Sequence, residues 1–254
     1  MKIRNLFFSV ICLNFYWVTN AQTFINTESG LLFTGLNDIR YGYNGTLFSL
    51  KNDFSAPSIP FLRIRAGILL YEKHHFSILY APLKISVKET LNKPIFYDGK
   101  VFEGNLPLEV TYKFNSYRLT YNRRLINKNN FLLGIGVSAK IRDAGISLEN
   151  NEMLSRDSGV GFVPLLNMLI DWNISQNTLV SFFGEGLVGS KGRALDLSLS
   201  GQYNFNDNLH GKMGYRLLDG GVNGVERYNF VQFHFVFVSL NFSFHRKVKD
   251  EMLN

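Results

Sequence analysis

Hydrophobic and polar residues alternate along most of this chain, and in three segments the alternation is unbroken. Over 131–142, Phe131, Leu133, Ile135, Val137, Ala139 and Ile141 oppose Gly134, Gly136, Ser138, Lys140 and Arg142. Over 194–205, Leu195, Leu197, Leu199, Tyr203 and Phe205 oppose Asp196, Ser198, Ser200, Gln202 and Asn204. Over 61–70, Leu62, Ile64, Ala66, Ile68 and Leu70 oppose Arg63, Arg65 and Gly67. Period 2 predicts strands, because successive side chains leave opposite faces of the pleat. The stretch from Tyr228 to Phe244 carries two apolar rows. Val236, Val238, Leu240, Phe242 and Phe244 form one, and Phe233, Phe235 and Phe237 begin the other before it turns polar at Ser239, Asn241 and Ser243.

Read end to end, the pattern predicts ten strands: 24–35, 60–71, 76–88, 108–125, 131–147, 159–172, 178–188, 194–205, 208–218 and 228–244. Short polar turns such as Glu72–His75, Asn127–Asn130 and Asn206–Asn208 alternate with mostly longer connections at Gly35–Ile59, Glu89–Pro107, Leu148–Ser158, Gly189–Arg193 and Asp219–Arg227. The expected fold is all-β, a transmembrane antiparallel up-and-down β-barrel with short periplasmic turns, longer extracellular loops and both termini in the periplasm. Tyr41 to Leu50 reads either as an extra strand pair or as an excursion of the first loop, so twelve strands is the runner-up and eight a further alternative. A soluble barrel would show the same periodicity with its faces inverted. The aromatic final strand and the N-terminal segment favour the membrane form.

That segment reads as an export signal. Lys2 and Arg4 precede an apolar run from Leu6 to Val18, and Thr19-Asn20-Ala21 is a small-x-small cleavage site. The run is short for a spanning helix, which needs about 20 apolar residues. The expected organisation is a cleaved signal over 1–21, a barrel over 22–244 and a polar tail over 245–254. Cys12 is the sole cysteine and lies in the signal, which excludes disulfides and a lipid-anchored N-terminus from the mature chain. The chain is 46% hydrophobic and 15% aromatic. Cleavage removes Lys2 and Arg4 and takes the net charge from +7 to +5. The basic residues are dispersed through the strands rather than gathered in a patch, so nucleic acid is not an expected partner.

A charge on the lipid face at mid-bilayer costs about 2–4 kcal/mol, so the charged rows are assigned to the lumen: Arg63, Arg65, Glu109, Lys113, Arg118, Lys140, Arg142, Glu185, Asp196, Lys212 and Arg216. Two readings stand. The plainer is a narrow lumen filled by mutually paired charges. The sharper is an anion or polar-ligand site in the outer half of the lumen, with Arg118, Lys140, Arg142, Glu185, Asp196 and Arg216 as its charges and Ser116 and Asn167 as polar support. The apolar parity shifts from Leu108, Val110, Tyr112 and Phe114 to Tyr117, Leu119 and Tyr121, which predicts a β-bulge at Asn115-Ser116. Pro164 within a strand predicts a kink or an unpaired N–H. Gly134 and Gly136 are expected to make room for a large neighbour, such as an arginine stem.

Enzyme signatures are sparse. His75-Phe76-Ser77 with Glu89 matches the spacing of outer-membrane lipid A deacylases, but fourteen residues of extended chain separate His75 from Glu89 by about 45 Å. Asp207 and His210 fall in a periplasmic turn region, whereas omptin-like proteases need an acid–histidine pair at the outer rim. No histidine cluster suggests a metal, and no cofactor is expected.

Tyr80-Ala81-Pro82-Leu83, Tyr112 to Tyr121 (YKFNSYRLTY), Ala139 to Ala144 (AKIRDA), Gly161 to Asn167 (GFVPLLN), Gly214 to Gly221 (GYRLLDGG) and Tyr228-Asn229-Phe230 together resemble a family of uncharacterised Gram-negative outer-membrane β-barrel proteins. The resemblance spans most of the mature chain. It implies the fold and the location and brings no catalytic residues. The expected partners are outer-membrane lipid and lipopolysaccharide, the barrel-assembly machinery and a small anionic solute. The expected function is structural, or the binding or narrow passage of that solute. A lipid-modifying enzyme and an adhesin acting through Asn37–Ser58 and Leu91–Leu106 are the alternatives.

Overall fold

The computed structural model describes residues 21–190 and 192–245. Most of the signal segment and of the C-terminal tail therefore lie outside the described residues. Fourteen strands occur among the described residues: β1 (Ala21–Tyr41), β2 (Phe48–Ser49), β3 (Ile59–Leu70), β4 (His74–Ala81), β5 (Lys84–Thr90), β6 (Ile95–Tyr97), β7 (Lys100–Phe102), β8 (Pro107–Lys128), β9 (Phe131–Glu149), β10 (Leu154–Asn173), β11 (Thr178–Gly189), β12 (Gly192–Asn204), β13 (Leu209–Asn223) and β14 (Arg227–His245). The wall runs β1-β3-β4-β8-β9-β10-β11-β12-β13-β14, and β14 pairs β1 over their whole length, from Gln22↔His245 to Tyr41↔Arg227. The barrel is closed, with ten antiparallel staves. β5 continues the stave of β4 along β8 after a break at Pro82-Leu83. Tyr41 to Leu50 is the excursion rather than a strand pair: β2 is two residues long and lies against β1.

Closure removes the exposed edges that a strand otherwise presents. The outer surface carries an apolar belt: Ile25, Leu31 and Phe33 on β1, Phe76, Ile78 and Tyr80 on β4, Ile135, Val137 and Ile141 on β9, and Val236, Val238, Leu240, Phe242 and Phe244 on β14 are all exposed. The interior row of β9 is polar, as the alternation predicts, whereas β1, β4 and β14 also turn Leu32, Leu79, Phe235 and Phe237 inward among their polar residues.

Several strands outrun their predicted ends, furthest toward the end with the longer connections. β1 reaches Tyr41, β10 begins at Leu154 and β13 reaches Asn223. Here the pattern inverts. Leu108, Val110, Tyr112 and Phe114 of β8 are buried inside, and the ladder to β9 continues through Asn115↔Asp143 and Ser116↔Arg142 without a shift. The bulge expected at Asn115-Ser116 is absent; the shift in this ladder lies between Arg124 and Ile126. The parity change instead marks where the stave leaves the apolar belt. Beyond it, the outer face meets water and the inner face packs. Lys113 and Glu109, expected in the lumen, therefore point outward, and Lys113 pairs with Asp143 at 2.7 Å on the outer surface.

The apolar inner surface at the loop end is completed by the loops. Phe48, Leu50 and Phe54 from the first, and Ile95, Tyr97 and Phe102 from the β6–β7 hairpin, bury against Ile85, Val110, Leu148 and Phe233. This lid is tied down by several bonds. Tyr97 Oη donates to the Ile146 carbonyl at 3.3 Å, Lys100 Nζ to the Leu154 carbonyl at 2.7 Å, and Phe96 N to Thr46 Oγ1 at 3.0 Å. Burial, with Asp157 and Asp98 nearby, raises the Tyr97 hydroxyl well above its ordinary pKa, so it remains a donor.

Candidate functional site

The lumen contains a charged belt with a cavity on either side. Six strands supply the belt, with Glu28 from β1, Arg63 from β3, Arg118 from β8, Glu185 from β11, Asp196 from β12 and Arg216 from β13. Arg216 bridges Glu28 at 2.8 Å and Asp196 at 2.6 Å. Arg63 reaches Glu28 and Asp196, each at 3.4 Å. Arg118 pairs with Asp196 at 2.7 Å and also with Glu185. Three guanidinium groups thus meet three carboxylates, and the formal charges cancel. Arg118 and Glu185 have 0% side-chain exposure, so the belt closes the lumen to solvent at its level.

Neutral polar groups extend this network. Arg118 Nε donates to Ser116 Oγ at 3.0 Å, and Ser138 Oγ to Glu185 at 2.8 Å. Asn167 Nδ2 donates to Ser138 Oγ at 3.1 Å, and Asn122 Nδ2 to Asn167 Oδ1 at 2.8 Å. The space for Asn122 comes from β9: a Cβ on Gly134 would lie 2.1 Å from its Oδ1, and one on Gly136 1.9 Å from the Tyr121 carbonyl oxygen. The large neighbour expected beside these glycines is thus an asparagine and its backbone.

Of the eight residues singled out from sequence, Ser116, Arg118, Asn167, Glu185, Asp196 and Arg216 come together in this one network. The other two, Lys140 and Arg142, stand apart. They face a cavity of about 330 Å³ on the loop side of the belt, whose wall also includes Tyr97, Tyr112 and Phe114. Lys140 is 5% exposed and its ammonium lies 5.1 Å from the centroid of Phe114. Among the described residues, neither cation has a hydrogen-bond or ion-pair partner, and Arg142 Nε is buried without one. The two carboxylates of the cavity wall are occupied elsewhere: Asp157 with Arg227 at 2.9 Å, Asp219 with Arg193. The arrangement is a buried lysine and a half-buried arginine, both without a paired charge, beside aromatic rings. Such a site favours an anion, because burying a charge is costly until it is paired.

A second cavity of about 360 Å³ lies on the turn side, with Arg65, Arg124, Lys212 and Asp171 in its wall. Arg65 is engaged there, donating to Ser77 Oγ at 2.9 Å and stacking over Phe183 at 5.5 Å.

Glu28 was missed as a site residue in the sequence. Its signal was present: it is the sole acid in the inward row of β1, between Asn26 and Gly30. The deacylase-like residues do not converge. His75 and Ser77 sit on β4 near the turn end, with His75 stacked on Phe24, whereas Glu89 lies on β5 opposite Leu108.

Several solved structures share this architecture. The outer membrane protease OmpT from Escherichia coli is 9% identical, with a TM-score of 0.51 over 90% of this chain and 98% of that one. This is the fold of Gram-negative outer-membrane β-barrel proteins. The transport unit of the autotransporter AIDA-I from Escherichia coli matches at 9% identity and a TM-score of 0.44, covering 90% of this chain and 92% of that one. The outer membrane protein OprG from Pseudomonas aeruginosa matches at 12% and 0.38, covering 90% and 98%. No protein-family model and no curated protein matches the sequence. At 9% identity the likeness to OmpT shows the barrel fold alone. The region corresponding to an omptin rim pair is not formed by Asp207 and His210, which sit at the β12–β13 turn on the turn side.

Proposed function

We propose that this barrel resides in the outer membrane, reaches it through a cleaved signal peptide, and binds a small anionic solute without catalysing a reaction on it. The short turns and both described chain ends then face the periplasm, and the lid faces outward. The observation that carries this reading is the contrast in the lumen: six belt charges pair with one another, while Lys140 and Arg142 stay unpaired beside a cavity. Binding is favoured over free passage because the belt leaves its charges no contact with solvent.

The test combines two measurements on the refolded full chain and on Lys140→Met/Arg142→Met. In a planar bilayer, the native protein is expected to show no steady single-channel conductance. By calorimetry, propionate binding is expected to weaken at least tenfold in the double variant. A steady conductance would replace binding with passage, and equal propionate affinity in the two proteins would remove the site.

A further inference from the structure

The barrel wall is incomplete between β10 and β11. β10 pairs with β9 along its whole length, from Leu154↔Glu149 to Trp172↔Phe131. With β11 it pairs only from Leu166↔Gly186 to Asn173↔Leu179. The edge of β10 over 154–165 thus has no partner strand, which suits Pro164, a residue unable to donate to a ladder. The reason is the height of the next staves. β11 ends at Gly189 and turns directly into β12 at Gly192, while β9 and β13 continue upward on either side. The gap begins where the outer surface changes character: Ile141 and Phe162, paired across β9 and β10, are exposed and apolar, and the next outward residue of β9 is Asp143. The gap therefore lies at the rim of the apolar belt, the level of lipid headgroups in a membrane barrel.

Behind the gap is the cavity that holds Lys140 and Arg142. Gly159 and Gly161 lie on the lumen-facing row of β10. A Cβ on Gly159 would meet nothing within 4 Å, and one on Gly161 would meet only Arg142 Nη2, at 3.8 Å. The way from the cavity to the gap is open because those side chains are missing. The direct route upward is covered by the lid, held to the wall through Tyr97 and Lys100. A second break, between β3 and β5, is backed by Leu50 and Phe54 packed with Leu83, Ile85 and Val87. Outside the β10 gap, Val160 and Phe162 are 74% and 67% exposed.

We infer that the ligand is an anionic amphiphile which enters sideways through this gap, its headgroup against Lys140 and Arg142 and its tail lying over Val160 and Phe162. The inference rests on the anion-binding reading above and adds the ligand class and the route. The size of the cavity agrees with it. About 330 Å³ is at the small end for ligand sites, enough for a headgroup and the start of a chain, with the remainder outside. The buried Lys140 and the half-buried Arg142 supply the head's counter-charge, and the exposed apolar row supplies surface for the tail.

Calorimetry on the full chain in phosphatidylcholine nanodiscs tests this, with empty nanodiscs as blank and three probes: dodecanoate, propionate and dodecan-1-ol. Dodecanoate is expected to bind at least tenfold more tightly than either of the others. Val160→Ser/Phe162→Ser is expected to weaken dodecanoate at least tenfold while leaving propionate within twofold. It should also retain the compact, heat-modifiable migration of a folded barrel, since both side chains are exposed on the outer surface. Native-like dodecanoate affinity in that variant, or dodecanoate no tighter than propionate, would overturn the sideways route and the amphiphile while leaving anion binding intact. Failure of the native protein to bind either anion would overturn the anion site, and this inference with it.

Discussion

The six charges of the belt and the two cations beyond it come from the same alternating rows, yet they are in opposite situations. Arg63, Arg118 and Arg216 each meet at least one of Glu28, Glu185 and Asp196. Lys140, on β9 in the same lumen, meets only the face of Phe114. The belt resembles a structural closure, in which each charge is satisfied by the protein itself. Among the described residues, the Lys140–Arg142 pair has no opposite charge bound to it. Charged residues in a narrow lumen are thus of two kinds, and pairing rather than burial tells them apart: Arg118 and Lys140 are both about equally hidden, at 3% and 5% exposure.

The largest expected effect of breaking this contrast is in the belt. Asp196→Asn removes one carboxylate from three guanidinium groups, and loss of one partner from a buried pair costs about 3–5 kcal/mol. Guanidinium unfolding of the lipid-inserted barrel should show that loss, and a change below about 1 kcal/mol would mean that the belt charges are hydrated rather than mutually paired. Lys140→Met should move the other way. It removes an uncompensated charge and retains an apolar stem, so stability is expected to stay level or rise, on the order of 1 kcal/mol; a clear loss in the same assay would reveal a structural role. The smallest effect is expected for Lys113→Ala. Its pair with Asp143 is on the outer surface, with side-chain exposures of 43% and 26%, and exposed pairs contribute about 0–1 kcal/mol. A larger loss would return Lys113 to the lumen.

That last residue shows where sequence reasoning reached its limit. Inside the apolar belt a single rule suffices: polar side chains point inward. It located the ten staves and placed Arg118, Lys140, Glu185, Asp196 and Arg216 in the lumen. The rule reverses past the belt, where the staves rise as the wall of a small packed core. On β8 this reversal falls between Phe114 and Tyr117, and from sequence it is indistinguishable from a bulge. The lid is obscure for a related reason, since Phe48, Phe54 and Tyr97 lie in loops without periodicity and find partners only in three dimensions. Pairing is hidden too. Glu28 is 188 residues from Arg216, and only barrel closure brings them together.

The uneven height of the wall has a further consequence. A uniform cylinder looks the same from every side and is indifferent to what stands next to it in a membrane. With β11 and β12 cut short, this molecule has a front. Rotation about the membrane normal decides whether that front faces fluid lipid or the flank of another protein. In a crowded membrane, a neighbour against β10–β12 would stopper the barrel without touching its lumen. Access then depends on company as well as on affinity.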